Sequence, residues 1–584
     1  MSTWNQTGRS IARRGSAGVK RAFVMAACAV LAGCVPDNPL QPGRGRVAAP
    51  HGPAFTLNPA CDPGLGGQTH LEDSIKTPVT WTRANNPHRV EAPLFVSGAG
   101  RLTLEPGVVV CFGEYVYLGM VNGGSLIADG LDTARIVLTA GDPDGWTGMF
   151  FGGHPAAASR LKNVVMEGVD GWAVSSADSA AVTIDSSVFR HPGAGLYLAG
   201  RGSSISRSLV DSTTIAEYPA VVLGTLARFE DTQIRGAAGV GLMVVGTNGV
   251  SLLGGRIEGS RGVGLVVTTT GAGIVATRPI RVVGGASYPA ELVVSAFPRI
   301  YPALSDQDSL LGNARDTLVV TGGILQSFAY PKAALPWRIT GNIVVQYFGI
   351  LNPKPGAALV FDYFVWITAR NGGRVVARGT AAAPVVFTGD AGAGGWNGIL
   401  LEGSPSLPSY LTNVRIENVT NSWAVWSWND HTVVIDSAVF RQNGVAAWLW
   451  SSNSRISRSR VDTTLIAEAA VELSGANAMM ESTLIRASAG DGLSIANNTN
   501  RVLSCEIRES AGSGIVGAGT VDVHNCNLVN NGGVGISSPY ATVNAEDNWW
   551  GDTGGPTGPN GDGVSGPVNY TPWRTTPFVL PYVP

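Results

Sequence analysis

SCEIRESAGSGI (residues 504–515) and NCNLVNNGGVGI (residues 525–536) are two successive copies of one pattern near the end of the chain. Asp491-Gly492-Leu493 precedes both in the same phase, and Gly239-x-Gly241 and Gly262-x-Gly264 form a similar pair in the first half. Short runs of alternating apolar residues fill each unit, and a period of two is that of a β-strand with one face inward. A repeat of about 21–24 residues with several such runs predicts a coil that stacks on its neighbours.

The composition agrees with many short strands joined by tight turns. Charged residues make up 14% of the 584 residues, and 77 residues are glycine. Leucine-rich repeats are excluded because no Leu-x-x-Leu-x-Leu with a following Asn recurs at fixed phase. β-Propeller blades would need units of about 40 residues or more. We therefore predict an all-β fold, a right-handed parallel β-helix solenoid.

A longer repeat lies over the short one. GWTGMFF (residues 145–151) returns as GWNGILL (residues 395–401), and the likeness continues for about 70 residues in each copy. We predict two tandem halves, residues 76–325 and 326–560, which meet in a proline-rich junction. Residues 561–584 are predicted to form a C-terminal cap or tail over the open edge of the last coil.

Three segments resemble those of a known superfamily. LEPGVVV (residues 104–110), GGSLIADG (residues 123–130) and the terminal NWWGDTGGP (residues 548–556) resemble bacterial surface proteins of the pectate-lyase-like β-helix superfamily. The resemblance spans nearly all of the chain that follows the N-terminal signal. It implies the fold but leaves the function open, because this scaffold carries lyases, hydrolases, adhesins and structural proteins.

The N-terminus has the features of an export signal. A basic region and the apolar run 22–31 lead into Leu31-Ala32-Gly33-Cys34, which resembles the lipobox of bacterial lipoproteins. The resemblance implies a signal peptide over residues 1–33, a lipid on Cys34 as membrane anchor, and an outer-membrane or cell-surface location. Residues 34–75 are predicted to be a flexible tether. An ordinary secretory signal with an incidental cysteine is the alternative.

Four cysteines remain after the signal peptide and Cys34. Cys61 and Cys111 could form a disulfide that staples the N-terminal end. Cys505 and Cys526 occupy the same place in adjacent repeats, where either a disulfide or a stack of two buried thiols fits. No Cys/His spacing is typical of a zinc site, and no cofactor is expected.

Carboxylates give only weak catalytic candidates. Enzymes on this scaffold place acidic residues from neighbouring coils on one outward face, but Asp and Glu do not recur here at the coil period: Glu506, for example, is followed by Asn527. The candidates that remain are Asp436 and Asp462, slightly more than one coil period apart, and the nearby Glu468. The preferred interpretation is that such residues form salt bridges and backbone hydrogen bonds at turns.

A Gly-rich loop near the C-terminus contains weak metal-binding candidates. Asp552 and Asp562 offer oxygen ligands suited to calcium. A purely structural loop is the preferred alternative.

The two halves differ most in their aromatic residues. The second half contains WAVWSW (residues 423–428) and, one coil later, AWLW (residues 447–450). Trp426 and Trp448 are one coil period apart, and so are Trp428 and Trp450. The four counterparts in the first half are Ser175, Ala177, Tyr197 and Ala199.

Alternate positions of the first half hold the aliphatic residues Val174, Leu196 and Leu198, and Val425 and Leu449 align with Val174 and Leu198. This predicts that the aliphatic set faces inward and the four tryptophans face outward. Such a patch can stack on sugar rings, contact a protein partner, or be covered by the chain itself. Four further tryptophans are predicted to be structural: Trp146, Trp172, Trp396 and Trp423.

These observations predict a surface-anchored β-helix protein with a non-catalytic role in binding or adhesion. A polysaccharide or a surface protein is the expected partner, and the net charge of −2 gives no reason to expect nucleic acid. A polysaccharide lyase or glycoside hydrolase is the second hypothesis. A purely structural rod of the cell envelope is the third.

Overall fold

The computed structural model describes residues 57–155, 157–269, 273–293, 295–296, 304, 310–325, 335–390, 394–420, 422–496 and 499–580. These residues form an all-β parallel solenoid of about 20 turns within one compact unit, Ala54–Pro584. The predicted fold class is therefore confirmed. Among the residues that the structure describes, 3-10 turns lie at Pro59–Cys61, Arg83–Asn85 and Gly555–Thr557. Cys34 and the predicted signal peptide lie outside the described residues.

One ladder of 20 parallel strands runs through the described residues on both sides of the predicted junction, and we call it the long ladder. The first half and the second half are the two predicted segments, residues 76–325 and 326–560. The pairings of the long ladder connect each strand to the next without closing into a ring, and at about 4.8 Å per strand they extend for roughly 90 Å. The long ladder consists of β2 (Ser74–Ile75), β5 (Leu94–Val96), β8 (Tyr117–Met120), β11 (Gly148–Phe151), β14 (Trp172–Ser176), β17 (Gly195–Leu198), β20 (Val221–Leu223), β22 (Leu242–Val244), β24 (Leu265–Val267), β26 (Ala290–Val293), β27 (Leu318–Thr321), β29 (Trp337–Ile339), β32 (Ala358–Phe361), β35 (Val385–Gly389), β38 (Val414–Glu417), β41 (Val439–Asn443), β44 (Arg460–Thr464), β47 (Leu484–Arg486), β50 (Glu506–Arg508) and β53 (Asn527–Val529).

Two further ladders complete the coils of the first half, and they merge in three long strands that turn the corner between them. One ladder consists of β1 (Gln68–His70), β4 (His88–Val90), β7 (Val109–Phe112), β10 (Ile136–Ala140), β13 (Val164–Glu167), β16 (Val188–Arg190) and β19 (Leu209–Asp211). The other consists of β3 (Pro78–Trp81), β6 (Arg101–Leu104), β9 (Ser125–Asp129), β12 (Ser159–Lys162), β15 (Val182–Asp185) and β18 (Ser204–Ser206). The merging strands are β21 (Arg228–Arg235), β23 (Ser251–Glu258) and β25 (Val275–Val283).

Two different ladders complete the coils of the second half. The 11-strand ladder consists of β28 (Gly323–Leu325), β30 (Ile343–Val345), β33 (Trp366–Ala369), β36 (Gly398–Glu402), β39 (Trp423–Trp428), β42 (Val445–Leu449), β45 (Val471–Leu473), β48 (Leu493–Ile495), β51 (Ile515–Gly517), β54 (Ile536–Ser537) and β56 (Val564–Ser565). The 10-strand ladder consists of β31 (Ile350–Leu351), β34 (Arg374–Arg378), β37 (Ser409–Thr412), β40 (Val433–Asp436), β43 (Arg455–Ser457), β46 (Met479–Glu481), β49 (Arg501–Leu503), β52 (Val521–His524), β55 (Val543–Asn544) and β57 (Val568–Asn569).

The long ladder has a different place in the coil on each side of the junction. In the first half, the long ladder contains β14, which is the second strand of its coil. In the second half, the long ladder contains β38, which is the first strand of its coil. β13, which ends in Glu167 as β38 ends in Glu417, belongs to another ladder. Corresponding strands of the two halves therefore lie on different faces of the solenoid.

The interior is filled by aliphatic side chains and a few stacked aromatic pairs. Trp146 stacks on Phe112 with ring centroids 4.0 Å apart, and Trp396 stacks on Phe361 at 4.1 Å. Both indoles are fully buried, and each Nε1 donates to a backbone carbonyl 3.0 Å away. These two tryptophans have the structural role that the sequence indicated.

A turn that recurs once per coil brings small polar side chains into line. Its first residue has a positive φ, as Ser186, Arg207, Arg458, Ser504 and Asn525 do. The next side chain points inward and accepts the backbone N–H of the equivalent residue one coil earlier. This turn ladder includes the following pairs: Ser187 N–H to Ser208, Ala438 to Ser459, Cys505 to Cys526 and Cys526 to Asn548.

The cysteines take two different forms. Cys61 and Cys111 form a disulfide, with Cα atoms 5.8 Å apart. Cys505 and Cys526 are buried free thiols, so the disulfide suggested for this pair is wrong and the stacked arrangement is present. Burial raises the pKa of Cys505 well above its usual range, which keeps the thiol protonated.

Both ends of the described solenoid differ from the sequence-based boundaries. Strands β1 and β2 begin at Gln68 and Ser74, inside the segment predicted to be a flexible tether. At the other end, β56 and β57 lie within the predicted cap and extend two ladders, so this segment builds part of the last coil. None of the described helical segments is long and apolar enough to cross a membrane.

Candidate functional site

Five indoles lie together on the outer side of the 11-strand ladder, and we call them the tryptophan face: Trp423, Trp426, Trp428, Trp448 and Trp450. Parallel pairing of β39 with β42 places Trp426 directly beside Trp448. Leu400 precedes this pair in the row and Glu472 follows it, so the aromatic patch is confined to two neighbouring coils.

Alternation along the strands turns these indoles outward. Val425 and Ser427 in β39 and Leu449 in β42 are fully buried. Trp426, Trp428 and Trp448, at the intervening positions, are half-buried, and Trp450 is 45% exposed. The orientation is the one that the alternation and the coil spacing predicted.

The rings pack against one another closely. The Trp426 and Trp448 rings are parallel within 3°, with centroids 5.5 Å apart. Trp428 and Trp450 meet edge to face at 4.2 Å. The first pair therefore forms the base of the face, and the second pair forms its more accessible part.

Trp423 belongs to the same face, although the sequence suggested a structural role. Its ring centroid lies 5.0 Å from those of both Trp426 and Trp448. Strict alternation breaks at the start of β39, where Ala424 and Val425 are both buried. A reading at period two could not place Trp423 beside Trp426, because residues three apart face opposite sides of a regular strand.

Polar groups border the aromatic rings. Trp448 Nε1 donates to Ser474 Oγ at 3.2 Å, and Ser474 in turn donates to the carboxylate of Glu472. Burial raises the pKa of Glu472, and the nearby Glu468 adds to this. Trp426 Nε1 is buried and has no acceptor among the described residues. An unsatisfied buried donor costs about 1–3 kcal/mol, which a packed core avoids.

The carboxylates proposed as catalytic candidates do not form one site. Asp436 ends β40 in the 10-strand ladder, where it accepts from Ser457 and Arg458. Asp462 lies in β44 of the long ladder, on another face. Glu468 is exposed in the segment between β44 and β45. The sequence could not separate them, because residues slightly more than one coil period apart can fall on different faces.

The first-half counterparts of these aspartates act as structural anions. Although burial tends to raise the pKa of Asp185, hydrogen bonds from Arg207 and Ser206 hold it below its usual range. The pKa of Asp211 is lowered mainly by the bidentate Arg235 guanidinium, at 3.0 and 2.7 Å.

The metal candidates Asp552 and Asp562 are engaged by protein groups. Asp552 accepts from the backbone of Gly554 at 2.8 Å, and Asp562 accepts from the side chain of Asn531 at 2.6 Å. Backbone hydrogen bonds lower the pKa of Asp552, whereas burial raises that of Asp562. A separate acidic group of the described residues, Glu114, Asp142 and Asp144, has carboxylate oxygens within 4.8 Å of one another. The sequence did not indicate this group, because its three acidic residues are not spaced by the coil period.

Comparison with known proteins agrees with this architecture. Residues 397–548, which include the tryptophan face, match the family described as "Right handed beta helix region". A search of curated proteins gave no match. The fold and the family match define a right-handed β-helix repeat protein, a class that includes both enzymes and binding proteins.

Proposed function

We propose that this protein binds glycans at the cell surface without cleaving them, and that the tryptophan face is the binding platform. The observation that supports the proposal is the cluster of five mutually packed indoles that keeps accessible surface on two adjacent coils. Aromatic patches of this kind are uncommon on soluble proteins unless they bind something.

The chemistry of the face suits a sugar chain. Indole rings offer flat apolar surface to the C–H groups of a pyranose, and the polar border offers partners for its hydroxyls. Glu472 and Ser474 lie at one end of the row, and Glu402 pairs with Trp428 at the other. Because the coil spacing is close to the length of one hexose unit, successive sugars could meet successive indoles.

Removal of the accessible indoles tests the platform. The first half has Ala177 and Ala199 at the positions of Trp428 and Trp450, so a W428A/W450A variant should keep the fold. We expect its affinity for glycans that bind the wild type, in a panel of neutral and acidic polysaccharides, to fall at least about tenfold, since the two lost indole contacts need contribute only about 1.4 kcal/mol together for that change. Intrinsic fluorescence titration measures this directly.

The matched control removes two exposed aromatic residues elsewhere. Tyr363 and Phe364 are 48% and 56% exposed, and their rings contact each other at 4.0 Å. A Y363A/F364A variant should bind as the wild type does. Equal binding by W428A/W450A and the wild type would refute the platform. Formation of new reducing ends or unsaturated products, lost in variants of Asp436 or Asp462, would instead favour the enzyme hypothesis.

The lipid anchor is a separate part of the proposal and rests on the lipobox-like sequence. If Cys34 carries the lipid, the full-length protein enters the detergent phase, and a C34A protein stays in the aqueous phase. Detergent partitioning of C34A protein would refute lipidation at this residue. The glycan proposal does not depend on the outcome.

A further inference from the structure

In the coils that carry the tryptophan face, the outer side of the long ladder carries an unusual row of charges. Parallel pairing brings one row into register: Glu417, Arg441, Asp462, Arg486 and Arg508. The row two residues before it contains Arg415, Val439, Arg460 and Leu484.

The corresponding rows of the first half are balanced. Acidic and basic residues alternate there as Glu167, Arg190, Asp211, Arg235 and Glu258. The row beside it has Val165, Val188 and Leu209 in register. The second half therefore has arginine where the first has Val165, Leu209 and Glu258. Since the first half has aliphatic residues at two of these positions, the fold does not require arginine there.

Asp462 lies at the centre of this arginine excess. Its side chain is only 8% exposed and has three guanidiniums around it: Arg460 at 2.6 Å, Arg486 at 3.1 Å and Arg441 at 3.7 Å. Arg460 Nε and Asp462 Oδ1 nevertheless have no hydrogen bond of good geometry. One carboxylate cannot accept bidentate hydrogen bonds from three guanidiniums. Asp211 in the first half, by contrast, accepts two parallel hydrogen bonds from Arg235 alone.

Arg460 and its neighbours around Asp462 line an open cleft of about 450 Å³. Arg415, also in its wall, is paired with Glu417 at 2.6 Å, so the surplus of donors arises at the three arginines that share Asp462. Four guanidiniums and two carboxylates surround it: Arg415, Arg441, Arg460, Arg486, Glu417 and Asp462. Its wall is completed by Asn418, Gln442 and Thr463, which have positive φ at or just beyond the C-terminal ends of β38, β41 and β44. One water needs only about 10–15 Å³ of such space, so the cleft is far larger than one small ion needs.

We propose that this arginine cleft binds the carboxylate or sulfate groups of an acidic polysaccharide. Guanidinium forks match planar and tetrahedral oxyanions, and partly buried arginines with incomplete partners gain most from such a ligand. β38, β41 and β44 of the cleft each continue through one turn into β39, β42 and β45, which carry the tryptophan face and its border. The proposal names the ligand class for the proposed glycan-binding function and rests on it.

An R415V/R460L variant tests the cleft, since it installs the residues of the first half. The probes are polygalacturonate for carboxylate groups, heparin for sulfate groups, a neutral soluble β-glucan, and inorganic sulfate. We expect at least about tenfold weaker binding of one or both acidic polymers, no change with the neutral polymer, and competition by sulfate only with the wild type. The charge-matched control is R101V/R501V, at two exposed arginines outside the cleft.

Unchanged binding of both acidic polymers by R415V/R460L would overturn the cleft proposal, and so would an equal loss in R101V/R501V. Competition by sulfate without binding of either polymer would reduce the cleft to a small-anion site and also overturn it. The two proposals fail separately. If W428A/W450A binds normally while R415V/R460L does not, the platform is wrong and the cleft stands; the reverse result leaves the platform alone.

Discussion

His431 lies in the turn that follows Trp428, the last residue of β39. It is fully buried, and its Nδ1 faces the carbonyl oxygen of Glu402 at 3.3 Å while Nε2 lies 2.8 Å from Ser409 Oγ. Since a carbonyl can only accept, Nδ1 carries the proton and Nε2 accepts from the serine hydroxyl. Burial lowers the pKa of His431 to about 4, with a smaller contribution from Arg374 in the same direction.

The first prediction concerns the pH dependence that His431 confers. Between pH 6.5 and about 4 the unfolded chain binds a proton at this position and the folded chain does not, so stability is full above pH 6.5 and falls as the pH decreases. We expect this residue to lower the free energy of unfolding by about 2–3 kcal/mol between pH 7.5 and 4.5. Urea unfolding at both pH values measures it.

An H431A variant provides the comparison, because the first half has the buried Ala180 at this position. Carboxylates elsewhere contribute equally to both proteins, so the difference between the two pH profiles isolates His431. Identical profiles for wild type and H431A would contradict the assignment. Glycan binding by the wild type should stay constant above pH 6, where His431 of the folded protein is neutral.

The hydrogen bonds of the turn ladder explain why Cys505 and Cys526 recur one coil apart without forming a disulfide. Each thiol donates to a carbonyl of its own coil, from Cys505 to Leu503 and from Cys526 to His524, both at 3.3 Å. Cys526 Sγ also lies 3.4 Å from the Cys505 N–H. The sequence could not choose between thiols and a disulfide, because a coil spacing of about 4.8 Å lies within the Cα range of disulfides.

The second prediction follows from the acceptor role of Cys526. A C526S variant keeps an acceptor for the Cys505 N–H and should change the free energy of unfolding by less than about 1 kcal/mol. A C526A variant leaves this N–H buried without a partner and should cost about 1–3 kcal/mol. Chemical denaturation compares the two. Equal stability of C526A and C526S would show that the thiol serves only to fill space.

Register also limited what the sequence could reveal about the candidate sites. The outward orientation of Trp426 and Trp448 could be predicted, because the alternation along each strand and the spacing of one coil period give the same answer there. The arginine cleft was missed, since Arg415 and Arg460 become neighbours only through the in-register Val439 between them. Its signal was present in the comparison of halves, where Val165 and Leu209 stand at the same positions.

At the scale of the whole molecule, the repeat period predicted a stacked β-helix, but not how its faces connect. The long ladder is continuous through β26, β27 and β29, whereas the other ladders of the two halves are different. Which face continues depends on how many strands the junction contributes. Irregular, proline-rich sequence does not reveal that number, because it lacks the period that identifies coils.

The C-terminal segment closes the open end of the solenoid through three kinds of contact. β56 and β57 pair with β54 and β55. Asn527 and the backbone of Phe578 exchange two hydrogen bonds, both 2.8 Å long. Tyr570 and Trp573 pack against the core, whose last large residue, Trp550, is fully buried. An uncovered solenoid end presents unpaired strand edges and apolar surface to other chains.

The third prediction is that deletion of residues 564–584 makes the protein aggregate. The deletion removes the strand partners of Ile536 and Val543 and exposes the end of the core beside Trp550. We expect concentration-dependent oligomers by light scattering and a lower melting temperature. The matched control, deletion of residues 581–584 only, retains every cap contact described above and should behave as the full chain does. A W573A/F578A variant loses cap packing but keeps β56 and β57, so it should melt earlier while aggregating less than the deletion. If the 564–584 deletion remained monodisperse and melted with the control, the last coil would be stable without its cover, and the segment would have no capping role.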